Sequence, residues 1–155
     1  MGPRSLKTLH QLLSILRALH WAHWTFHWKM KGDTAYADHL LFQRLYEATE
    51  EEVDGLAEKL ISYGGDETTS PVNLMEASLR FLNLHPSPAD GPVEETYRAA
   101  LDMEKHLQRA LSRTQEILDE EGELTLGLDD FLAATASAHE TALYLLGQKL
   151  APASG

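Results

Sequence analysis

The chain has 155 residues, a formal net charge of −11 and no cysteine. This length fits one compact domain, so we expect residues 1–155 to form a single domain. The negative charge opposes association with nucleic acid phosphates or an anionic membrane and favours cations. Because thiolate ligands, disulfides and thiol catalysis are excluded, any bound metal must be held by imidazole and carboxylate groups.

The sequence does not predict a membrane segment. No apolar run approaches the ~18 residues that a membrane span needs. The first residues, MGPRSLKTLHQLLSILRALHW, are interrupted by Lys7, His10 and Arg17, unlike the apolar core of a secretory signal. We therefore expect a soluble, cytoplasmic protein.

The first predicted helix covers residues 5–31. Apolar residues recur there at intervals of three and four, which is the spacing of one helical face. Ser5 is suited to be its N-cap, and Gly32 is suited to be the glycine that follows its last turn.

Three further long helices are predicted. The second begins between residues 34 and 36 and stops at Gly64 and Gly65, the third covers residues 93–120, and the fourth covers about residues 129–150. The Thr, Ser, Pro, Asn and Gly content of residues 66–92 predicts a long connection, in which residues 71–82 can form a short helix that starts with proline. The pattern predicts an all-α four-helix bundle with a long middle connection.

The segment HWAHWTFHWKMKG, which starts at His20, concentrates histidine and tryptophan near the end of the first helix. His27 lies closest to that end, and His20 and His23 lie on the same side of the helix. Imidazole is a common metal ligand, so His27 is a candidate. For His20 and His23 a structural role is favoured, with one ring nitrogen bonded to a backbone or carboxylate partner.

A stripe of polar residues is predicted along one face of the second helix. Its members are separated by threes and fours and span an arc of ~100°. They are His39, Gln43, Glu47, Glu50, Asp54 and Glu58. Such a stripe is often only a solvated face, but a histidine at one end and carboxylates at the other, beside a helix with further histidines, favour a metal site.

One copy of the chain cannot bring both ends of this stripe to one metal ion. With a rise of about 1.5 Å per residue, His39 and Asp54 are ~22 Å apart along the helix, whereas metal–ligand bonds are ~2 Å long. Either the stripe contains separate sites, or two copies of the helix run antiparallel about a two-fold axis. In the second case the histidine end of one copy meets the carboxylate end of the other.

These residues resemble the Dps-type mini-ferritins, the DNA-binding proteins from starved cells within the ferritin-like superfamily. That family has HWNxxG at the end of the first helix, a histidine twelve residues on, an acid four residues later and then DxxAERxxxLGG. This chain has HWKMKG from His27, His39 at the twelfth position and DGLAEKLISYGG over residues 54–65. The resemblance covers essentially the whole chain and is most specific in residues 27–65.

The resemblance implies a ferritin-like bundle that assembles into a hollow shell of twelve subunits. It also implies ferroxidase activity, in which hydrogen peroxide or dioxygen oxidises ferrous iron at two-fold subunit interfaces. The ferric product is stored as mineral, which protects against oxidative damage. A di-iron site would be formed by His27 and His39 of one subunit with Asp54 and Glu58 of its partner.

One ligand position departs from the family pattern. Gln43 stands where the family usually has an aspartate or glutamate, and a neutral amide is a weaker iron ligand. Glu47, one turn further on, is a candidate replacement. The alternative function is a ferritin-like shell or metal-binding structural protein whose ferroxidase activity is weakened or lost.

A di-iron site inside each bundle and DNA binding are both not favoured. A di-iron site inside each bundle would need Glu-x-x-His on two helices, and we find no such motif at a suitable place. DNA binding in the family commonly uses a lysine-rich tail, whereas MGPRSLK has only Arg4 and Lys7 and the other end reads APASG. With a net charge of −11, we expect no DNA binding at physiological salt.

Overall fold

The computed structural model describes residues 1–87 and 90–153, which contain five α-helices and one short 3-10 helix. The elements in chain order are α1 (Pro3–Lys29), α2 (Ala35–Ser62), the 3-10 helix (Asp66–Thr69), α3 (Pro71–Leu84), α4 (Val93–Glu120) and α5 (Leu126–Leu150). The predicted all-α bundle is confirmed, and α3 is the short helix in the middle connection. Residues 88 and 89 of that predicted connection, and the last two residues of APASG, lie outside the described residues.

The core forms where the apolar faces of the long helices meet. α1 packs against α2, α3 and α4, and α5 packs against α4. Each fully buried large apolar side chain contributes about 1.5–3 kcal/mol relative to an exposed one. The largest fully buried side chains include Leu9, Leu12, Leu16 and Leu19 of α1, Phe42, Leu56 and Leu60 of α2, and Tyr97, Met103 and Leu107 of α4.

Within residues 1–87 and 90–153, no helix is both long and apolar enough to cross a membrane.

Two helix starts differ from the prediction. α1 begins at Pro3, so the prediction that Ser5 is its N-cap was wrong. Proline suits the first helical position because its missing N–H would have no partner there, and Ser5 is instead fully buried within the helix. α5 begins at Leu126, before the predicted residue 129, because the Thr125 hydroxyl accepts a hydrogen bond from the Leu128 N–H and caps the helix.

Glycines in a left-handed conformation occupy the turn between α1 and α2 and the turn that follows α2. Gly32 and Gly64 have φ angles of 89°, a left-handed conformation that favours glycine. Gly32 lies between α1 and α2, and Gly64 follows the last turn of α2. The turn at Gly32 reverses the chain, so the end of α1 lies beside the start of α2.

Candidate metal centre

His27 and His39 meet where α1 ends and α2 begins. His27 lies in the last turn of α1, and His39 lies near the first turn of α2. Their ring centroids are 3.5 Å apart and the ring planes differ by 23°, so the two imidazoles are stacked. The structure therefore brings together the two histidines that the sequence predicted as ligands.

Two reciprocal hydrogen bonds fix the orientation of these rings. Nδ1 of His27 lies 2.8 Å from the carbonyl oxygen of His39, and Nδ1 of His39 lies 2.9 Å from the carbonyl oxygen of His27. A carbonyl oxygen can only accept, so Nδ1 must carry the proton in both rings. In the neutral imidazole this leaves Nε2 with its lone pair, which is the arrangement commonly found for metal-binding histidines.

An aromatic side chain packs against the histidine pair, and two exposed aromatic side chains lie on the same segment of α1. Tyr46 packs edge-on against His27 with a centroid distance of 5.3 Å. Trp24 and Trp28 contact each other at 5.4 Å, yet they are 41% and 64% exposed. Large exposed apolar side chains that lie together are typical of a surface that another protein covers.

The polar stripe of α2 is present, but its two ends remain separate within one copy. The Gln43 amide nitrogen donates to Glu47 Oε1 over 2.8 Å, which joins these two predicted residues. Asp54 and Glu58 are exposed on the same helix, one to two turns before its end at Ser62. Within residues 1–87 and 90–153, no three His, Cys, Asp or Glu side chains form a group that could hold a metal ion. Asp54 and Glu58 as ligands thus stay a prediction.

A cleft of ≈ 640 Å³ lies beside the carboxylate end of the stripe. Its lining includes Asp54 and Glu50 of α2 together with His20 and Trp21 of α1. His20 is largely buried and contacts Trp24 and Tyr46, which agrees with the predicted packing among aromatic rings, while a bonded partner for its ring nitrogens stays a prediction. Burial lowers the pKa of His20, although the negative charge of Glu50 opposes this effect.

A second polar cluster, buried inside the bundle, joins all four long helices. His23 Nε2 lies 2.8 Å from Glu104 Oε1, His139 Nδ1 lies 2.5 Å from Glu104 Oε2, and His139 Nε2 lies 2.7 Å from Glu52 Oε2. The partly exposed Glu52 belongs to α2, Glu104 to α4 and His139 to α5. Of the two kinds of partner predicted for His23, backbone or carboxylate, the structure shows a carboxylate, that of Glu104.

The protonation of this cluster follows from its hydrogen bonds. Burial by itself would lower the pKa of His139, but the bonds to Glu104 and Glu52 raise it to about 10. Burial would raise the pKa of Glu104, but the bonds from His139 and His23 hold it below its ordinary value. His139 is thus an imidazolium held between two carboxylates.

Sequence reasoning did not single out Glu52 or Glu104, although a signal for Glu104 was available. Met103 and Leu107, which flank it on α4, are buried core residues, so Glu104 occupies a core position of that helix. A glutamate among core positions is rare unless it is paired. The core position of Glu104 therefore predicts that its carboxylate has a buried partner.

Comparison with known proteins agrees with this architecture. The model of the ferritin-like domain matches residues 6–146. The "DNA protection during starvation protein" of Brevibacillus brevis is 25% identical over 141 residues, which cover 85% of this chain and 92% of that protein.

Two solved structures are similar over nearly the whole chain. Dps from Thermosynechococcus elongatus superposes with a TM-score of 0.86 at 20% identity, over 97% of this chain and 92% of that one. The Dps protein of Vibrio cholerae O1, "a member of a broad superfamily of ferritin-like diiron-carboxylate proteins", superposes with a TM-score of 0.80 at 18% identity, over 95% and 89%. The chain belongs to the ferritin-like family and has the fold of the Dps proteins.

Proposed function

We propose that this protein oxidises ferrous iron at a site shared by two antiparallel copies of the chain and stores the ferric product inside a shell of twelve copies. Iron is the substrate and cargo. The ligands would be His27 and His39 from one copy, with Asp54 and Glu58 from the other. Gln43 and Glu47 would border the site on the histidine side.

The observation that carries the proposal is the reciprocal hydrogen bonding of His27 and His39. In both rings Nδ1 donates to a carbonyl oxygen, so in each neutral ring the lone pair of Nε2 is the one directed away from this bond. The two backbone carbonyls act as outer partners that hold the rings in place. Neutral imidazole suits iron and other first-row transition metals.

A second copy would supply what one copy lacks. Asp54 and Glu58 are exposed and lie ~22 Å or more from His39 along α2, so an antiparallel copy of that helix could place them opposite the histidines. The exposed rings of Trp24 and Trp28 beside His27 would be covered by such a pairing. Burying them would also stabilise the pair of copies.

The ligand set favours oxidation. Two neutral imidazoles and two carboxylates contribute a charge of about −2, and anionic oxygen ligands stabilise ferric iron more than ferrous iron because the ferric charge is larger. Two ferrous ions supply two electrons, which together with two protons from water reduce one hydrogen peroxide molecule, cleave its O–O bond and give two water molecules. Dioxygen is the other candidate oxidant.

Gln43 favours the alternative, a shell with weak or absent ferroxidase activity. Its amide donates to Glu47, so the nitrogen side of the amide is directed along the helix and the neutral oxygen is the only ligand atom that Gln43 can offer. Glu47 brings a negative charge near the histidines, but one turn further along α2. The activity of the unaltered protein decides between the two functions.

The test is anaerobic ferrous loading of the purified assembly, followed by peroxide or air, with the oxidation rate, iron per subunit and solution mass recorded. We expect fast, saturable oxidation by a large shell. His39→Ala and Glu58→Ala should each slow the reaction by at least about 10- to 100-fold, which is the loss found when an outer-shell partner of a metal site is removed, because these variants remove ligands themselves. Glu94→Ala, which removes an exposed acid from α4, is the matched control and should leave the rate unchanged. A rate equal to that of buffer in the unaltered shell would reject the ferroxidase and favour the structural alternative.

A further inference from the structure

A groove of ≈ 340 Å³ lies between α1, α3 and α4, and its volume is in the range of small-molecule pockets. Its apolar lining includes Leu12 and Ile15 of α1, Phe81 and Leu84 of α3, and Ala110 of α4. Leu12 and Phe81 are only 1% and 4% exposed, so their positions are fixed by the core. Among the described residues that line the groove, none belongs to α2, so the groove is separate from the polar stripe proposed to bind iron.

The charged side chains that line this groove are all positive. The chain has 24 acidic residues against 13 lysines and arginines, yet the described lining contains Arg80 and Arg113 and no aspartate or glutamate. The cleft beside the α2 stripe is the opposite case, because Glu50, Glu51 and Asp54 line it. A lining without acids in such an acidic chain favours an anionic ligand.

The two arginines of the groove differ in how far their charge is neutralised. Arg113 of α4 pairs with Glu116 at 3.0 Å and lies 3.9 Å from Glu120. Arg80 of α3 is exposed and has no ion-pair partner among the described residues. A guanidinium group stays charged at physiological pH and presents several N–H donors, which suits a carboxylate. Arg80 therefore offers the free positive charge of the groove.

Two half-buried histidines are sensitive to the positive charge on this face. Burial and the charge of Arg80 lower the pKa of His10. Burial and the charges of His85 and Arg109 lower the pKa of His106, which itself lines the groove. No carboxylate among the described residues opposes either effect. The two pKa shifts thus agree with an excess of positive charge around the groove.

We propose that this groove binds an amphipathic monocarboxylate, with the carboxylate at Arg80 and the alkyl chain against Leu12 and Phe81. The lining extends over residues 8–15 of α1, which is about 10 Å along the helix, and an extended chain of about eight carbons has a similar length. The amide of Gln11 adds a further hydrogen-bonding group to the lining. A bare inorganic anion would leave the apolar side chains in contact with water, so the groove favours a ligand that has both parts.

The experiment titrates the assembled, iron-free protein with octanoate by isothermal titration calorimetry. We expect one octanoate per subunit, with a Kd on the order of 1 mM or below. Hexanoate should bind more weakly, by up to about 15-fold, since each buried CH₂ contributes a factor of about four. Octylammonium has a chain of the same length and the opposite charge, and inorganic phosphate has no chain. Neither should compete with octanoate.

Arg80→Gln should weaken octanoate binding by about tenfold or more, because it removes a hydrogen bond between charged groups. Arg98→Gln, at an exposed position of α4 outside the groove, is the matched control and should leave binding unchanged. Ala77→Phe fills part of the groove from α3 and should also weaken binding. Solution mass and thermal unfolding verify that each variant assembles, and either variant tests the proposal if the other fails to fold.

Three results would overturn this proposal. They are the absence of binding at about 10 mM octanoate, equal affinity of the unaltered protein and Arg80→Gln, and competition by octylammonium that matches unlabelled octanoate. None of these measurements involves iron oxidation or a proposed iron ligand, so failure here is distinguishable from failure of the proposed function.

Discussion

His139 donates a hydrogen bond from Nδ1 to Glu104 over 2.5 Å, and this pair links α5 to α4 inside the bundle. Glu104 is 0% exposed and His139 is 4% exposed. Removing one member of a buried ion pair leaves an uncompensated charge and costs about 3–5 kcal/mol. The pair is therefore a major determinant of stability at the centre of the fold.

Glu104→Gln should destabilise the protein by an amount of that order. The substitution removes the carboxylate that His139 and His23 share, and it leaves the imidazolium with only the partly exposed Glu52. Urea unfolding at fixed protein concentration measures the change, since assembly affects apparent stability. Glu95→Gln, at an exposed position of the same helix, is the control and should change stability by less than about 0.5 kcal/mol.

The stabilisation by this pair should depend on pH in a defined way. The pKa of His139 is raised from 6.5 to about 10, so its contribution is complete below pH 6.5 and is lost as the pH rises towards 10. The pKa of Glu104 is lowered from 4.5, so its contribution is present above pH 4.5 and is lost as the pH falls through the folded-state value. The difference in Tm between the unaltered protein and Glu104→Gln should be largest between about pH 4.5 and 6.5. A difference that grows from pH 6.5 to 10 would contradict the assignment of an imidazolium.

Gln43→Glu should increase the rate of ferrous oxidation and the affinity for ferrous iron. The substitution restores a charged oxygen ligand beside the histidine pair, where the neutral amide now donates to Glu47. Stopped-flow absorbance of ferric product measures the rate, and anaerobic titration measures the affinity. Gln148→Glu, an exposed change of equal charge on α5, controls for the added negative charge of the shell. Equal acceleration by both variants would mean that general electrostatics, and not a ligand, is responsible.

Tyr97→Phe should destabilise the contact between α2 and α4. The Tyr97 hydroxyl donates to the buried Asp38 over 2.7 Å, and Lys149 of α5 also approaches that carboxylate at 3.0 Å. A hydrogen bond to a charged group contributes about 1.5–3 kcal/mol, so a loss of this size is expected in urea unfolding. Tyr36→Phe removes the hydroxyl of a tyrosine that is 77% exposed, and it should have little effect. Equal losses in the two variants would exclude a special role for the Asp38 contact.

The assembled protein should not bind DNA at physiological salt. Its net charge of −11 per chain repels phosphate, and Arg4, one of two basic residues in the first seven, already pairs with Glu120 and Glu121. A gel shift with linear duplex DNA at low and physiological salt measures this. A shifted band that persists at physiological salt would overturn the expectation, while a band at low salt alone would agree with weak electrostatic contact.

Much of the fold is predictable because apolar spacing reports helical faces directly. The bounds of α4 agree with the prediction at residues 93–120, since its apolar series is long and regular. The starts of α1 and α5 were less well predicted, because each depends on local chemistry at a boundary: α1 starts with a proline after Gly2, without a side-chain cap, and α5 starts after a threonine cap. For α5, the hydrogen bond from the Leu128 N–H to the Thr125 hydroxyl sets the cap at Thr125.

The site was predictable only in part, for a physical reason. The sequence predicts that His27 and His39 lie close, because a single short turn separates their helices. It does not predict the exchange of hydrogen bonds with each other's carbonyl groups, which depends on how that turn at Gly32 sets the two helix ends. Local periodicity places Glu104 among the core positions of α4, but it does not encode which residues of the other three helices pair with it, because that pairing is a tertiary property.

The two exposed indoles beside His27 give the protein its own optical reporter. Trp24 and Trp28 lie 5.4 Å apart with ring planes inclined by 55°, close enough for their electronic transitions to couple. While they face water, their fluorescence emission should lie at long wavelength, and covering them should shift it to shorter wavelength. Paramagnetic iron beside His27 would quench the same emission. The proposed pairing of copies and the proposed binding of iron would thus be followed separately, by emission wavelength and by emission intensity, without any attached label.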